Sequence, residues 1–467
     1  MSVTLHVMFV NRSAELRALN EWWEASSPEG RVALVWGRRR VGKTALLNTF
    51  AKDRATVFHT GAGRPARDEL RVLSAAAERV CARWGARDLS KRPFADWDDA
   101  LGGLAACAGD APLLVVLDEF PELLGASPEL PGVLRAFWDH ARERTKLRIL
   151  LCGSAVRTMQ AIQEERAPLY GRIDLTLPLH PFTPGEAAGM LRKLTPPERA
   201  LVWGILGGIP LYLTWWDQRQ SVRENLARLV GRPGGRLLDE GRLVLATEGD
   251  TGELGQLVLR AIAAGRTKHG EIEQAVRAEP ARTLERLIEL RLVERVVPVT
   301  AAGSRTRRRT YRIADNFLAF WLSIVEPYRA EIERGLGPSI LTPLVQRLDE
   351  HMGPRYEEAF RAHLRRLAAA GTLAPDIVRI GPFWSERPPA VEIDAVALAG
   401  RDEEAVLLGE AKWARGANAA RIVRELEHRA SALPRVAADP RYAVCARERL
   451  TDVPAGTLAL TASDIFG

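Results

Sequence analysis

Eight consecutive residues constrain this chain more than any others: Gly37-Arg38-Arg39-Arg40-Val41-Gly42-Lys43-Thr44, which fit the pattern G-x-x-x-x-G-K-S/T. Val32 to Trp36 before them is a short apolar run of the kind a buried strand needs, and Ala45 to Lys52 after them reads as a helix. A strand that turns through glycines into a helix points main-chain N–H groups, and the positive end of the helix, at one spot. That spot suits phosphate oxygens. Gly37 and Gly42 let the backbone curl, Lys43 adds a point charge at the β- and γ-phosphates, and Thr44 offers an oxygen to Mg²⁺. A glycine turn that only joins strand to helix does not account for the whole pattern.

A length of 467 residues suggests about three domains. With 46% apolar and 27% charged residues the composition is that of an ordinary globular protein, so buried cores are expected and disorder is not expected to dominate. A net charge of +7 favours an anionic partner only weakly on a surface this large, so the placement of the arginines matters more. Cys81, Cys107, Cys152 and Cys445 lie far apart, without a C-x-x-C pair or histidines at zinc spacing. They read as reduced, mostly buried thiols. Met1 to Arg12 lacks the apolar core of a signal peptide, and no run is long enough to span a bilayer. The expectation is a soluble cytoplasmic protein with no membrane partner.

In residues 1 to 180, Phe9-Val10-Asn11-Arg12 is followed by Glu15 to Trp23 at helical spacing. This segment either folds over an adenine or simply leads into the domain, and periodicity does not choose. Thr56 to His59 is a candidate strand; Arg67 to Trp84 and Phe94 to Ala108 are candidate helices. Leu113 to Leu117 is continuously apolar, as a central parallel strand must be, and it ends in Asp118-Glu119. Acids at a strand's carboxyl end face a nucleotide crevice. There Asp118 would support the Mg²⁺ shell and Glu119 would act as general base on the attacking water; the alternative is a pair of solvated acids capping a strand. Leu147 to Cys152 is a further strand ending at Gly153-Ser154. Ser154 could bond the γ-phosphate or lytic water, or cap the next helix. Arg172, in Pro168-Leu169-Tyr170-Gly171-Arg172, is either a phosphate-sensing cation or an ordinary surface arginine.

Taken together, Phe9 to Arg12, Gly37 to Thr44, Leu117-Asp118-Glu119, Gly153-Ser154 and Pro168 to Arg172 resemble the archaeal-type ATPases of the AAA-like and STAND-like P-loop superfamily, found in prokaryotes. The resemblance implies ATP and Mg²⁺ as cofactors, Glu119 as catalytic glutamate, and an additional strand between the phosphate-loop strand and the Asp118 strand.

Beyond residue 180, Thr183-Pro184-Gly185-Glu186 reads as a helix start with Thr183 as cap and Glu186 as its capping-box partner. Gly207 to Leu213, which includes Pro210, resembles the glycine-proline motif of the helical lid in such ATPases, where the proline lies near the adenine. A plain helix-loop-helix corner has the same composition. From Gly252, three helical segments (Leu257 to Ala264, Gly270 to Val276, Ala281 to Leu290) precede two candidate hairpin strands, Leu292 to Val299 and Arg309 to Ile313. That order is winged-helical. Arg282, Arg286 and Arg291 mark the third helix, and Arg305, Arg307, Arg308, Arg309 and Arg312 crowd the wing, where DNA phosphates would account for them. Protein docking or plain solvation would also account for them. Phe317, Phe320, Trp321 and Tyr328 read as a packing seam.

At the C-terminus Val391 to Leu398 and Ala405 to Trp413 have strand patterning, joined by a turn at 400–404. Such a hairpin puts Asp394 beside Glu410, with Lys412 on the face of Glu410. Two carboxylates and a lysine on one sheet face suit metal-assisted phosphodiester hydrolysis. Glu357, on the helix that opens near Gly353, could approach the same metal or could be a solvated acid. These residues resemble the PD-(D/E)xK nuclease superfamily, in the restriction-endonuclease-like form fused to archaeal-type ATPases; Ile393 stands where the consensus has proline.

The expected fold is α/β: a P-loop NTPase parallel sheet (1–180), a helical lid (181–250), a winged helix (251–335) and an α/β restriction-endonuclease-like domain (336–467). The expected function is ATP-driven DNA processing, with nucleotide state gating the winged helix and a Mg²⁺-dependent nuclease-like domain. Its alternative is a nucleotide-dependent switch or scaffold, binding DNA or protein, with an inactive C-terminal domain. Expected partners are ATP, DNA, and a second copy of the chain or another protein.

Overall fold

Strands with no polar face must be covered on both sides, and residues 31–36, 113–118 and 147–153 have that character. In the structure, a computed structural model describing residues 11–25, 29–81, 88–247, 252–301, 306, 308–386 and 390–467, they are the middle of one sheet. The chain forms two compact units, Met1–His180 and Pro181–Gly467.

The first unit opens with α1 (Ser13–Glu24) and continues β1 (Arg31–Trp36), α2 (Lys43–Ala51), β2 (Thr56–Thr60), α3 (Ala66–Cys81), α4 (Trp97–Ala108), β3 (Leu113–Asp118), α5 (Phe120–Ala126), α6 (Leu130–Ala141), β4 (Leu147–Gly153), α7 (Val156–Ala161) and β5 (Leu175–Pro178). The sheet order is β2-β3-β4-β1-β5, and each neighbouring pair is parallel. β4 is therefore the additional strand between the phosphate-loop strand and the Asp118 strand. Every residue of β3 and β4 is buried, with Leu34, Val115, Ile149 and Leu151 among the core side chains. Parallel strands in register bring their carboxyl ends to one edge, so Gly37, Asp118 and Ser154 all emerge there. Phe9 and Val10 lie outside the described residues.

The expectation of four reduced thiols is corrected: Cys81 at the end of α3 and Cys107 near the end of α4 form a disulfide, with Cα atoms 5.4 Å apart. The two helices pack on each other, which a separation of 26 residues does not reveal. Cys152 and Cys445 are free and buried, as expected.

The second unit starts with helices α8 (Pro184–Met190), α9 (Pro196–Leu206), α10 (Pro210–Trp215), α11 (Val222–Leu229) and α12 (Arg236–Thr247). Thr183 and Glu186 form the expected capping box on α8. Three helices follow, α13 (Gly252–Ala263), α14 (His269–Val276) and α15 (Ala281–Glu289), then the antiparallel pair β6 (Val293–Val296) and β7 (Thr310–Ile313). α16 (Asn316–Phe320), the single turn α17 (Arg329–Glu331) and α18 (Gly337–Gln346) lead to the long α19 (Leu348–Ala369). Phe317, Phe320 and Trp321 are fully buried, so the aromatic seam is core packing.

A second sheet ends the chain: β8 (Ile377–Ser385), β9 (Val391–Ala399), β10 (Glu404–Lys412), β11 (Gly416–Asn418), α20 (Ala419–Ala430), β12 (Val436–Ala446), β13 (Arg449–Thr451), β14 (Leu458–Thr461) and α21 (Ala462–Phe466). Its order is β14-β12-β10-β9-β8, with β11 and β13 pairing separately. β9 and β10 are antiparallel whereas β10 and β12 are parallel, so the sheet is mixed. Among the described residues no helix is long and apolar enough to cross a membrane.

Candidate functional site

Gly42 sits at φ 93°, a left-handed conformation that favours glycine, and begins α2 as its N-cap. Gly37 is required for a different reason: a Cβ there would lie 2.4 Å from the carbonyl oxygen of Leu179. Between them Arg40 takes φ 68°, and Val41 is wholly buried, anchoring the loop to the core. Lys43 is 6% exposed, and its ammonium donates to the carbonyls of Gly37 at 2.9 Å and Arg38 at 3.0 Å. The loop thus folds around its own lysine, which holds a cation where phosphate oxygens would sit. Arg38, Arg39 and Arg40 complete the turn.

Thr44 Oγ1 donates to Asp118 Oδ2 at 3.0 Å. A hydroxyl and a carboxylate in contact at a helix N-terminus are the donor types that fit Mg²⁺ beside a triphosphate. Glu119, at φ 48°, heads α5, and its Oε2 accepts from Ser154 Oγ at 2.9 Å and Ser154 N at 3.3 Å. Ser154 is consequently not the cap of α7, a position held by Ala155. It fixes the orientation of Glu119, the proposed base. Arg172 forks onto Asp139 of α6 at 2.7 and 2.9 Å and donates to the carbonyls of Pro168 and Tyr170. Sensing phosphate would require it to leave that carboxylate.

Arg12 carries more than its motif suggested. It is 4% exposed, pairs with Glu15 at 2.7 Å, and donates to the carbonyls of Val41 at 3.0 Å and His180 at 2.6 Å. One guanidinium therefore ties α1, the phosphate loop and the end of the first unit together. Its adjacency to a helix start was the available signal.

In the second unit Pro210 begins α10, and Gly208 packs so closely on Phe182 that a Cβ would lie 1.9 Å from its carbonyl oxygen. Gly409 of β10 pairs with Ala395 of β9, which brings Glu410 and Asp394 together as expected. Asp394 accepts from the Ala411 N–H at 2.8 Å. Glu410 Oε1 accepts from Lys412 at 2.6 Å and Oε2 from Arg429 of α20 at 3.1 Å. Both acids are buried, Asp394 at 8% and Glu410 at 4% exposure.

Burial pushes the Asp394 carboxyl up to about 6, and the neighbouring Glu410 adds to the rise, against the Ala411 N–H, Lys412 and Arg361. Burial also pushes Glu357, on α19, up to about 7, with Asp394 next in effect. Glu357 thus faces the same cluster. Lys412 is held above its usual value because Glu410 outweighs the opposing effect of burial. Crowded, half-desolvated acids of this kind are what a bound cation would relieve. Among the described residues no group of three or more His, Cys, Asp or Glu side chains is arranged to hold a metal. A cation here would take two protein carboxylates and complete its shell with water.

Sequence reasoning missed two arginines. Arg361, buried, donates to the main-chain carbonyl of Asp394 at 2.7 Å and to Glu358 at 3.1 Å. Its spacing of three and four from Glu358 and Glu357 was a legible helix signal. Arg429 reaches Glu410 from another element and left none.

The wing arginines divide. Arg305 and Arg307 lie outside the described residues. Arg308 is exposed and Arg309 partly buried. Arg312 turns inward, donating to Glu294 and Glu358 at 2.9 Å each, so it does not stand with a phosphate-facing cluster. Arg291 falls after α15 at φ 57°, and burial lowers its pKa; Arg282 and Arg286 are on that helix.

Residues 9–215 match the family described as an ATPase domain predominantly from Archaea. Residues 321–423 match a family described as archaeal and bacterial proteins of unknown function. Over 415 residues the chain is 26% identical to the uncharacterized protein MJECL04 of Methanocaldococcus jannaschii, covering 87% of this chain and 88% of the relative. Over 56 residues it is 41% identical to the uncharacterized ATP-binding protein MJ0423 of the same organism, covering 11% of this chain and 92% of the relative. The Walker-type ATPase PABY2304 of Pyrococcus abyssi is similar in structure, with a TM-score of 0.52 and 21% identity over 68% of this chain and 96% of that one. That likeness concerns the fold alone.

Proposed function

We propose, for a chain that belongs through residues 9–215 to the ATPase family found predominantly in Archaea, a DNA-processing role in which ATP hydrolysis gates a metal-dependent nuclease-like domain. ATP binding by the first unit is the premise. Lys43 and the loop amides orient the phosphates, Thr44 and Asp118 would hold Mg²⁺, and Glu119, steadied by Ser154, would take the proton of the attacking water. In the second unit residues 251–335 act as a winged helix and residues 336–467 as the nuclease-like domain.

The observation that carries the nuclease reading is the convergence of Asp394, Glu410, Lys412 and Glu357 in one partly desolvated cluster. A divalent ion, when bound, supplies a water of lowered pKa there. Asp394 and Glu410 would hold the ion, Glu357 would accept a proton from its shell, and Lys412 would offset charge on the phosphate under attack.

Full-length protein incubated with linear or supercoiled DNA, Mg²⁺ or Mn²⁺ and ATP tests this. Cleavage should occur, and Asp394→Ala should slow it by more than about 100-fold. Equal outcomes for both proteins remove the nuclease claim. The second reading, a nucleotide-dependent switch or scaffold, is favoured by one detail: both oxygens of Glu410 are already satisfied, by Lys412 and Arg429. Salt-sensitive DNA binding without cleavage would decide for it.

A further inference from the structure

A cavity of about 450 Å³ lies in the second unit, between the end of α13, strand β7 and the start of α19. Its volume falls in the range of pockets that hold small organic ligands. Its lining combines apolar side chains, Ile262 and Ile324 among them, with the two cations Arg347 and Arg355. Those two positions are eight residues apart with His351 midway; Arg347 is the N-cap of α19, and His351 and Arg355 follow on the same side at successive intervals of four.

The two arginines keep N–H groups free to take a ligand, although Glu357 and Asp315 lie close enough to favour the charged form of Arg355. Arg347 and Arg355 are partly buried, and neither makes a hydrogen bond or ion pair with any described residue. Neither guanidinium is sealed from solvent, so water covers their free N–H groups until a ligand with matching acceptors displaces it. Burial first, then Arg312, lowers the Arg355 pKa to about 10, against the opposing effect of Glu357 and Asp315.

Of the acids lining the cavity, neither Glu358 nor Glu350 bonds either arginine. Glu358 is already shared by Arg312 at 2.9 Å, Arg361 at 3.1 Å and Arg365 at 2.8 Å, and Glu350 is exposed. His351 bonds the carbonyl of Gly204 at 2.9 Å; burial first, then Arg355, pushes it down to about 3, so it is neutral near pH 7 and brings no charge.

We propose that this cavity binds a small phosphate monoester, its phosphate held by Arg347 and Arg355 and its organic body lying on Ile262 and Ile324. A monoester carries close to two negative charges near neutral pH and three acceptor oxygens, which match two forked monocations. A single carboxylate would leave one guanidinium unmatched. Its lining includes neither the phosphate-loop residues nor Asp394, Glu410 or Lys412, and neither activity is needed for it.

Calorimetry on the full chain carrying Lys43→Ala, which weakens the phosphate loop, tests the proposal with phenyl phosphate and inorganic phosphate as probes at fixed ionic strength. Phenyl phosphate should bind saturably at one site, and more tightly than inorganic phosphate. Arg347→Met and Arg355→Met should each weaken it at least about tenfold, whereas Arg421→Ala, an exposed arginine on α20, should leave it unchanged. Without ligand, the melting temperature of Arg355→Met should stay the same or rise, since burial of that guanidinium outweighs its attraction to Glu357 and Asp315. The proposal is overturned if phenyl phosphate gives no saturable heat, if the arginine variants bind as the parent does, or if Arg355→Met melts lower while Arg347→Met binds normally.

Discussion

Single residues carry the chemistry through what burial does to their charge. Lys43 sits in a crevice with its ammonium held by two main-chain carbonyls, so its position is set before nucleotide arrives. Asp394 and Glu357 show the opposite case, acids held near protonation by burial first and then by a neighbouring acid, Glu410 beside Asp394 and Asp394 beside Glu357. Their folded-state pKa values, about 6 and about 7, lie above the ordinary 3.8 and 4.5. The folded state therefore binds protons more tightly, and stability is greatest below pH 4 to 4.5 on this account alone, falling as pH rises to about 7. In metal-free buffer, thermal melts from pH 5 to pH 8 should show that decline, flattened in Asp394→Asn. Added Mn²⁺ should raise the melting temperature more at pH 8 than at pH 5, because ligands must be deprotonated to bind it. A Mn²⁺ effect independent of pH would contradict the metal assignment. The glycines and acids of the site were legible because each answers a local demand. The partners of Arg172, Arg312 and Glu410 were not, since each is chosen by a contact across elements.

Elements were legible wherever one face or none met water. β1, β3 and β4 announced themselves as apolar runs, and α13 to α15 by helical spacing. β5, four residues with no fully buried side chain, carried too little pattern to be read. The Cys81–Cys107 link needed the packing of α3 on α4, which periodicity does not contain. Gly207 to Pro210 was recognised by composition, but the reason for it is steric. The Gly208 carbonyl accepts from the Phe182 N–H at 2.7 Å, and no room is left for a side chain. Gly208→Ala should therefore destabilise the second unit by about 1–3 kcal/mol, read as a lower urea midpoint. An unchanged midpoint would mean that the contact is not tight.

At the scale of the molecule, a P-loop ATPase unit precedes a second unit that ends in a mixed sheet with a charged cluster. Each has its own core, which is why each could be read separately from its motifs. Expectations about how one acts on the other rest on chemistry that begins at the phosphate loop. The most direct measurement is calorimetric titration of the full chain with Mg-ATP, alongside phosphate release. Wild type should bind and turn over; Lys43→Ala should bind at least about tenfold more weakly. Glu119→Gln should keep its affinity while losing more than about 100-fold in rate. Absence of binding heat in the wild type, or normal turnover by Glu119→Gln, would contradict the account.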